Sequence, residues 1–137
     1  MKILVINGPN LNILGKRDKA QYGNLTLEMI ESKLSSEFSE DIFSFRQSNS
    51  ESEICSLIQN SSLFDGILLN PGGFTHTSVA IADAVAAIKT PVIEVHISNI
   101  FAREEYRHIS LITPKCKGSI SGFGLDSYRL AIESFRE

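Results

Sequence analysis

The sequence lacks tryptophan, has only two cysteines and contains no long hydrophobic run. Cys55 and Cys116 stand far apart without a Cys-x-x-Cys spacing, which predicts two reduced thiols rather than a redox or metal motif. No apolar stretch approaches the roughly 20 residues of a membrane helix. The apolar run near the N-terminus breaks at Gly8-Pro9, too soon for a signal peptide. These absences predict a soluble protein that stays in the cytoplasm.

An excess of positive charge is also absent. The formal net charge is -3 at pH 7, so the chain has no general attraction to nucleic acid or to anionic membranes, and neither is expected as a partner. A local basic pocket for an anionic substrate is still compatible with this charge. The 137 residues, 42% hydrophobic and 21% charged, fit one globular domain over 1–137 without repeats or linkers.

Short apolar or alternating segments predict five strands separated by helices. The predicted strands cover 2–7, 42–47, 66–70, 91–96 and 110–113. Thr26 is expected to cap the first long helix, and Ser50 with Glu53 fits a capping box at the start of the second. A third helix is predicted over 78–88, and a loop with Gly118, Gly122 and Gly124 precedes the last. The alternation predicts an α/β fold, an open five-stranded parallel sheet with helices on both faces and the flavodoxin-like strand order.

Polar side chains follow the predicted strands at their carboxyl ends, where ligands bind in open parallel sheets. Asn10 and Asn12 follow the first strand. Asn70 and His76 follow the third strand, with Gly72 and Gly73 between them, and the residues around the fourth are Glu94, His96, Ser98, Asn99, Arg103 and Arg107. The remaining histidine, His108, falls near the predicted fifth strand and is expected at the surface. The convergence at one rim predicts a binding site there.

Several candidate residues, in this set and elsewhere in the chain, also have a purely structural interpretation. Asn7 and Asn70 are also typical of side chains that bond backbone at strand ends, and His96 fits a hydrogen-bonded core histidine equally well. Tyr22 taken alone fits an exposed loop aromatic. Asp83 lies in a segment that is apolar nearly all round, which indicates a subunit contact. There it would form an intersubunit ion pair or reach a neighbouring subunit's site.

Three other functions are weighed against the same residues. A flavin or nucleotide site needs donors after strand one, where Pro9 has none. A signalling receiver needs clustered acidic residues there, and the sequence has none. A metal hydrolase using Glu94, His96 and His76 stays open, because the Glu-x-His spacing puts both side chains on one face of a strand.

Four blocks of the sequence form recognisable motifs: Asn7-Gly8-Pro9-Asn10-Leu11-Asn12, Arg17 before Tyr22-Gly23, Asn70 to Ser78, and Glu94 to Asn99 continued by Arg103 to Arg107. Together they resemble type II 3-dehydroquinate dehydratases. The blocks occur in the family's order and spacing along nearly the whole chain.

The resemblance implies a lyase that converts 3-dehydroquinate to 3-dehydroshikimate by trans-dehydration through an enolate. It implies no metal, cofactor or Schiff base, and a dodecamer built from trimers. The reaction serves the shikimate pathway of aromatic amino acid biosynthesis or the breakdown of quinate.

Residue roles also follow from the resemblance. Tyr22 matches the proton acceptor and His96 the proton donor. Arg17 and Arg103 match arginines beside the tyrosine, and Asn10 matches a residue that holds the enolate through water. The expected substrate-binding positions are Asn70, His76, Asp83, Ile97, Ser98 and Arg107, with Asp83 reaching a neighbouring subunit's site.

The chain departs from the family pattern at two places. The family often has an acidic residue and a proline between the arginine and the tyrosine, whereas this chain has Asp18-Lys19-Ala20-Gln21. Phe101 stands where a histidine or tyrosine is frequent. Neither change removes a residue with an expected chemical role.

Overall fold

A computed structural model describes residues 1–16 and 18–136, and its centre is a five-stranded parallel sheet. The strands are β1 (Lys2–Asn7), β2 (Ile42–Gln47), β3 (Gly66–Asn70), β4 (Val92–His96) and β5 (Gly118–Ser121). Their order is β2-β1-β3-β4-β5 and every neighbouring pair is parallel, which confirms the predicted flavodoxin-like arrangement.

Helices cover both faces of the sheet. They are α1 (Lys19–Tyr22), α2 (Leu27–Glu37), α3 (Glu51–Gln59), α4 (Val79–Ala87) and α5 (Asp126–Ser134). The side chains of Thr26, Ser50 and Ser78 accept hydrogen bonds from backbone N–H groups in the first turns of α2, α3 and α4, so these helices begin where the sequence predicts. No helix in the described ranges is long and apolar enough to cross a membrane.

The central strands β1 and β3 are buried because successive side chains pack into two separate hydrophobic cores, one on each face of the sheet. Ile3 and Val5 point to one face, where they pack with Ile30 of α2 and Ile132 of α5. Their neighbours on the strand, including Ile6, point to the other face and pack against α3 and α4. This explains why the strand segments read as continuous apolar runs rather than as alternating ones.

The predicted fifth strand at 110–113 is wrong. The hydroxyl of Ser110 accepts hydrogen bonds from the N–H groups of Ile112 and Thr113, which closes a turn instead of extending the chain. Pro114, which has no N–H to donate, follows in a short 3-10 helix. The edge strand is instead Gly118–Ser121, so Gly118 lies in the sheet and not in the loop predicted before the last helix. His108 is exposed as expected, although no strand begins beside it.

The outer face of α4 stays open in this single chain. Ile81, Ala82 and Val85 are buried, whereas Val79 and Asp83 are exposed. Apart from Asp83 the exposed side of α4 is apolar, which is the pattern that a subunit contact requires. The intersubunit role of Asp83 therefore stays a prediction.

Two loops approach each other closely at the carboxyl end of the sheet, where Gly8 faces Pro71. A Cβ at Gly8 would lie 2.7 Å from the backbone oxygen of Pro71. We expect Gly8→Ala to destabilise the fold by about 1–3 kcal/mol, because backbone cannot yield as a flexible side chain does. Gly73→Ala is the matched control, since a Cβ there meets nothing within 4 Å. Urea denaturation of both variants measures the difference, and equal free energies of unfolding would contradict the steric explanation.

Candidate active site

A cleft of about 120 Å³ opens at the carboxyl ends of β1, β3 and β4. It is lined by Pro9, Asn10, Leu11, Tyr22, Asn70, Gly72, Gly73, His76, His96, Ile97, Ser98, Ile100, Arg103 and Arg107. Nine of the expected site residues thus meet at the carboxyl ends of the parallel strands, where a ligand is expected to bind. They are Asn10, Tyr22, Asn70, His76, His96, Ile97, Ser98, Arg103 and Arg107. Asp83 does not line the cleft of its own chain, and Arg17 lies outside the described residues.

Tyr22 reaches the cleft from α1, which lies in the loop between β1 and α2. Arg103 Nη1 donates a hydrogen bond of 2.9 Å to the Tyr22 hydroxyl oxygen, and the guanidinium carbon lies 5.6 Å from the centre of the tyrosine ring. The side chain is half-buried against the core that contains α2 and α5. The interpretation of Tyr22 as a plain exposed aromatic is therefore wrong, because the Arg103 guanidinium contacts both its hydroxyl and its ring.

Arg103 is a buried cation in the wall of the cleft, with only 6% of its side chain exposed. Besides Tyr22, its Nη1 contacts the Ser98 hydroxyl at 3.3 Å, and its Nη2 lies 3.7 Å from the Asp18 carboxylate. Its Nε is buried and has no hydrogen-bond partner among the described residues. A buried donor of this kind in a cleft wall is suited to an anionic ligand or a bound water.

His96 ends β4 and is held by Glu94 two residues earlier. Its Nε2 donates a short hydrogen bond to the Glu94 carboxylate, so Nδ1 is the ring nitrogen left for a ligand. His96 is buried and still lines the cleft, so it fits both the core and the site interpretation. The sequence places Glu94 at this rim, but the family resemblance gives it no role. The period of two along the strand places it beside His96, but does not reveal its partners.

Glu94 is fully buried and both of its oxygens are occupied. Thr75 Oγ1 donates to Oε2 at 2.7 Å and Thr113 Oγ1 donates to Oε1 at 2.8 Å. Burial acts to raise the pKa of Glu94, but the hydrogen bond and charge of His96 with the two threonine hydroxyls outweigh it and hold the pKa below its usual range. The carboxylate is thus kept ionised behind His96.

This arrangement does not favour the metal alternative. Glu94 is fully buried and does not line the cleft, and its oxygens accept from two threonine hydroxyls and from His96. In the part of the chain that the structure describes, no group of three or more His, Cys, Asp and Glu residues is arranged to hold a metal ion.

We expect Glu94→Gln to lower the free energy of unfolding at pH 7 by about 1–3 kcal/mol, because a charged hydrogen-bond acceptor is lost. A lowered pKa stabilises the fold above the ordinary glutamate pKa of about 4.3, and this stabilisation is lost as the pH falls through the lower folded value. The difference from the unaltered protein should therefore shrink as the pH falls below about 4. Urea denaturation between pH 7 and pH 3 measures it, with exposed Glu105→Gln as control. A difference that does not change with pH would contradict an ionised Glu94.

The remaining cleft residues offer groups that bind an oxygen-rich ligand. His76 Nδ1 lies 2.7 Å from the Ile109 carbonyl oxygen and must donate to it, which leaves Nε2 for the cleft. Arg107 is held by Glu104 at 2.7 Å. The backbone N–H groups of Ile97 and Ser98 make no hydrogen bond within the described residues. Two arginines and free backbone donors suit a carboxylate.

Asn70 combines its two interpretations. Its Oδ1 accepts the Gly72 N–H at 3.1 Å, which is the backbone role, and the residue also lines the cleft. Asn10 adopts a left-handed backbone (φ 70°), and its N–H donates to Asn49 Oδ1 at 3.0 Å. Asn7 is buried and accepts a hydrogen bond from Tyr128 rather than from backbone through its side chain.

Comparison with known proteins places the whole chain in one family. Residues 1–136 match the family model described as Dehydroquinase class II. A 3-dehydroquinate dehydratase from Prochlorococcus marinus subsp. pastoris is 53% identical over 141 residues, covering 100% of this chain and 96% of its own. One from Caldanaerobacter subterraneus subsp. tengcongensis is 51% identical, covering 96% and 90%.

A solved structure agrees. The type II dehydroquinase from Butyrivibrio crossotus superposes with a TM-score of 0.96 at 46% identity, and the match covers 100% of this chain and 98% of that one. The chain therefore belongs to the class II dehydroquinase family.

Proposed function

We propose that this chain catalyses the dehydration of 3-dehydroquinate to 3-dehydroshikimate by trans-elimination through an enolate. The observation that carries the proposal is the pairing of two separately held groups at one cleft. Tyr22 is hydrogen-bonded by Arg103, and His96 is hydrogen-bonded by Glu94. The first pair suits a base and the second an acid.

In the first step Tyr22, as the phenolate, removes a proton from the carbon next to the substrate's ketone. The electron pair of that C–H bond forms a carbon–carbon double bond to the ketone carbon, and the π pair of the C=O bond moves to the ketone oxygen, which gives an enolate. Arg103 donates to the tyrosine oxygen at 2.9 Å, so a cation already lies beside the atom that takes the proton. By resemblance, Arg17, which lies outside the described residues, is expected to stabilise the charge of the base.

The enolate oxygen carries the charge that develops in this step, so it needs donors that are already in position. Asn10 lines the cleft and, by resemblance, holds that oxygen through a water. Its backbone is left-handed, and its N–H donates to Asn49 Oδ1 at 3.0 Å.

In the second step the enolate collapses, the bond to the departing hydroxyl breaks, and His96 supplies the proton that makes the leaving group water. The new carbon–carbon double bond is conjugated with the ketone, so the sum of both steps is the loss of one water. Glu94 holds the imidazole through Nε2, so Nδ1 is the ring nitrogen that transfers the proton.

Substrate orientation falls to the other cleft residues. The carboxylate of 3-dehydroquinate suits the N–H groups of Ile97 and Ser98 and the Arg107 guanidinium, and His76 Nε2 and the Asn70 amide suit ring hydroxyls. These assignments use the donor and acceptor types that each residue leaves open.

We also propose that the enzyme is a cytoplasmic homo-oligomer, a dodecamer built from trimers, without a metal or cofactor. The apolar outer face of α4 supports the oligomer, and Asp83 on that face would reach the cleft of a neighbouring subunit. Light scattering at the concentration used for activity tests this part. A monomer with full activity would contradict it.

The activity is tested by adding purified protein to 3-dehydroquinate and following ultraviolet absorbance. We expect absorbance of the conjugated enone to rise at a rate proportional to protein concentration and to persist with a strong chelator present. No enone at substrate concentrations in the millimolar range would contradict the proposed function.

A further inference from the structure

A buried chain of hydrogen bonds runs from the last helix to the floor of the cleft. Tyr128 in α5 is fully buried, and its hydroxyl donates to Asn7 Oδ1 at 2.6 Å. The same hydroxyl accepts from Asn70 Nδ2 at 2.9 Å, and Asn70 Oδ1 accepts from the Gly72 N–H at 3.1 Å. Of these residues Asn70 and Gly72 line the cleft, whereas Tyr128 and Asn7 do not.

The direction of each bond is determined by its neighbours. The Gly72 backbone N–H can only donate, so the atom that faces it must be the Asn70 oxygen, and the amide nitrogen must lie on the Tyr128 side. The tyrosine has one hydrogen, which it gives to Asn7, and it can therefore accept from Asn70. Burial raises the pKa of the Tyr128 hydroxyl, only partly offset by the bond from Asn70, so the hydroxyl keeps its proton throughout the working range.

These hydrogen-bond directions leave one N–H of the Asn70 amide for a ligand. Its amide nitrogen carries two hydrogens and Tyr128 takes one, so the other is left for the cleft that Asn70 lines. If the tyrosine hydroxyl were removed, the amide would lose the partner that orients its nitrogen. Asn7 Oδ1 would also lose the hydrogen bond that Tyr128 donates.

We propose that Tyr128 is a positioning residue that, together with Gly72, fixes the Asn70 amide so that one N–H is presented to an oxygen of the substrate. It does not touch the substrate itself. The inference deepens the proposed function and rests on it, because Asn70 is taken as the residue that binds the ligand.

A double-mutant cycle in the full-length protein tests this. Tyr128→Phe should raise KM and lower kcat/KM by about tenfold, with a smaller change in kcat, because one oriented hydrogen bond to bound substrate is lost. Asn70→Ala should lower kcat/KM at least as much. The double variant should match Asn70→Ala, since Tyr128 acts through that amide. Losses that multiply in the double variant would overturn the proposal.

Ser127→Ala is the matched control, because it also removes a buried hydroxyl from α5. Ser127 Oγ accepts from the Phe123 N–H and does not line the cleft. We expect its kcat/KM to change less than twofold. A tenfold loss would show that any change inside α5 is enough to lower kcat/KM, and it would overturn the positioning role of Tyr128.

A measurement on the unaltered protein covers the case in which Tyr128→Phe fails to fold. A crystal structure with bound 3-dehydroshikimate should place Asn70 Nδ2 within hydrogen-bond distance of a product oxygen, with Oδ1 on Gly72. An amide without a product contact would overturn the proposal. Turnover by the wild-type protein is measured first. If the wild type is inactive, the proposed function fails and this inference fails with it. If the wild type is active but the losses of the two single variants multiply in the double variant, only the inference fails.

Discussion

Tyr22→Phe is expected to lower kcat by about 10²- to 10⁴-fold while the substrate still binds, which is the typical contribution of a general base. The substitution removes the oxygen that would take the proton and leaves a ring of nearly the same shape. That ring still packs against the core and beneath the Arg103 guanidinium, so the cleft should keep its form. Initial rates by enone absorbance measure kcat, and calorimetric titration with product measures binding.

Tyr106→Phe is the matched control for this prediction. Tyr106 is exposed and its ring lies 5.3 Å from the Arg107 guanidinium carbon, yet it does not line the cleft. The same chemical change beside the other arginine should therefore leave kcat within about twofold. A Tyr22→Phe variant that turns over at a near-normal rate would remove Tyr22 from the chemistry and leave the base unassigned.

His96→Ala is the second large effect, and we again expect kcat to fall by about 10²- to 10⁴-fold because the leaving hydroxyl loses its proton donor. The substitution also leaves the fully buried Glu94 carboxylate without its ring partner, so the fold should lose stability as well. Rates must therefore be measured at a temperature at which circular dichroism shows the variant to be folded. Product affinity should fall much less than kcat.

His108→Ala serves as the control for the loss of an imidazole. His108 is exposed, does not line the cleft, and bonds the Arg103 carbonyl oxygen at 3.1 Å. Its removal should change kcat by only a few-fold. If His96→Ala were as active as His108→Ala, the acid would have to be sought elsewhere among the cleft residues.

The sequence predicts most of the fold because apolar strands and capped helices are local signals. β1 to β4, the caps at Thr26 and Ser50 and the helix predicted over 78–88 are confirmed. The fifth strand is wrong because Ser110 and Thr113 use their hydroxyl groups on a turn and on Glu94, which the alternation of apolar residues does not reveal. The hydroxyl partners of a segment depend on distant residues, and a local pattern carries no information about them.

The residues of the candidate site are likewise predictable only in part. His76 and His96 follow from the rule that ligands bind at the carboxyl ends of parallel strands. Tyr22 stands in a loop without periodicity, so before the fold is known its role rests mainly on the family resemblance and on Arg17 five residues earlier in the sequence. The helical spacing of Tyr128, Ala131 and Phe135 predicts Tyr128 on the inner face of the last helix, where it is buried. Helical spacing gives the direction of a side chain and not the partner of its hydroxyl.

The central claim is that the cleft carries out an enolate-forming elimination with a separate base and acid, and the stereochemistry of the reaction tests it most directly. 3-Dehydroquinate bearing deuterium in place of one defined hydrogen next to the ketone is converted by the unaltered enzyme, and the label in the product is measured by mass spectrometry. A trans-elimination predicts that the hydrogen on the ring face opposite the departing hydroxyl is the one lost. Loss of the hydrogen on the same face as the hydroxyl would contradict the account.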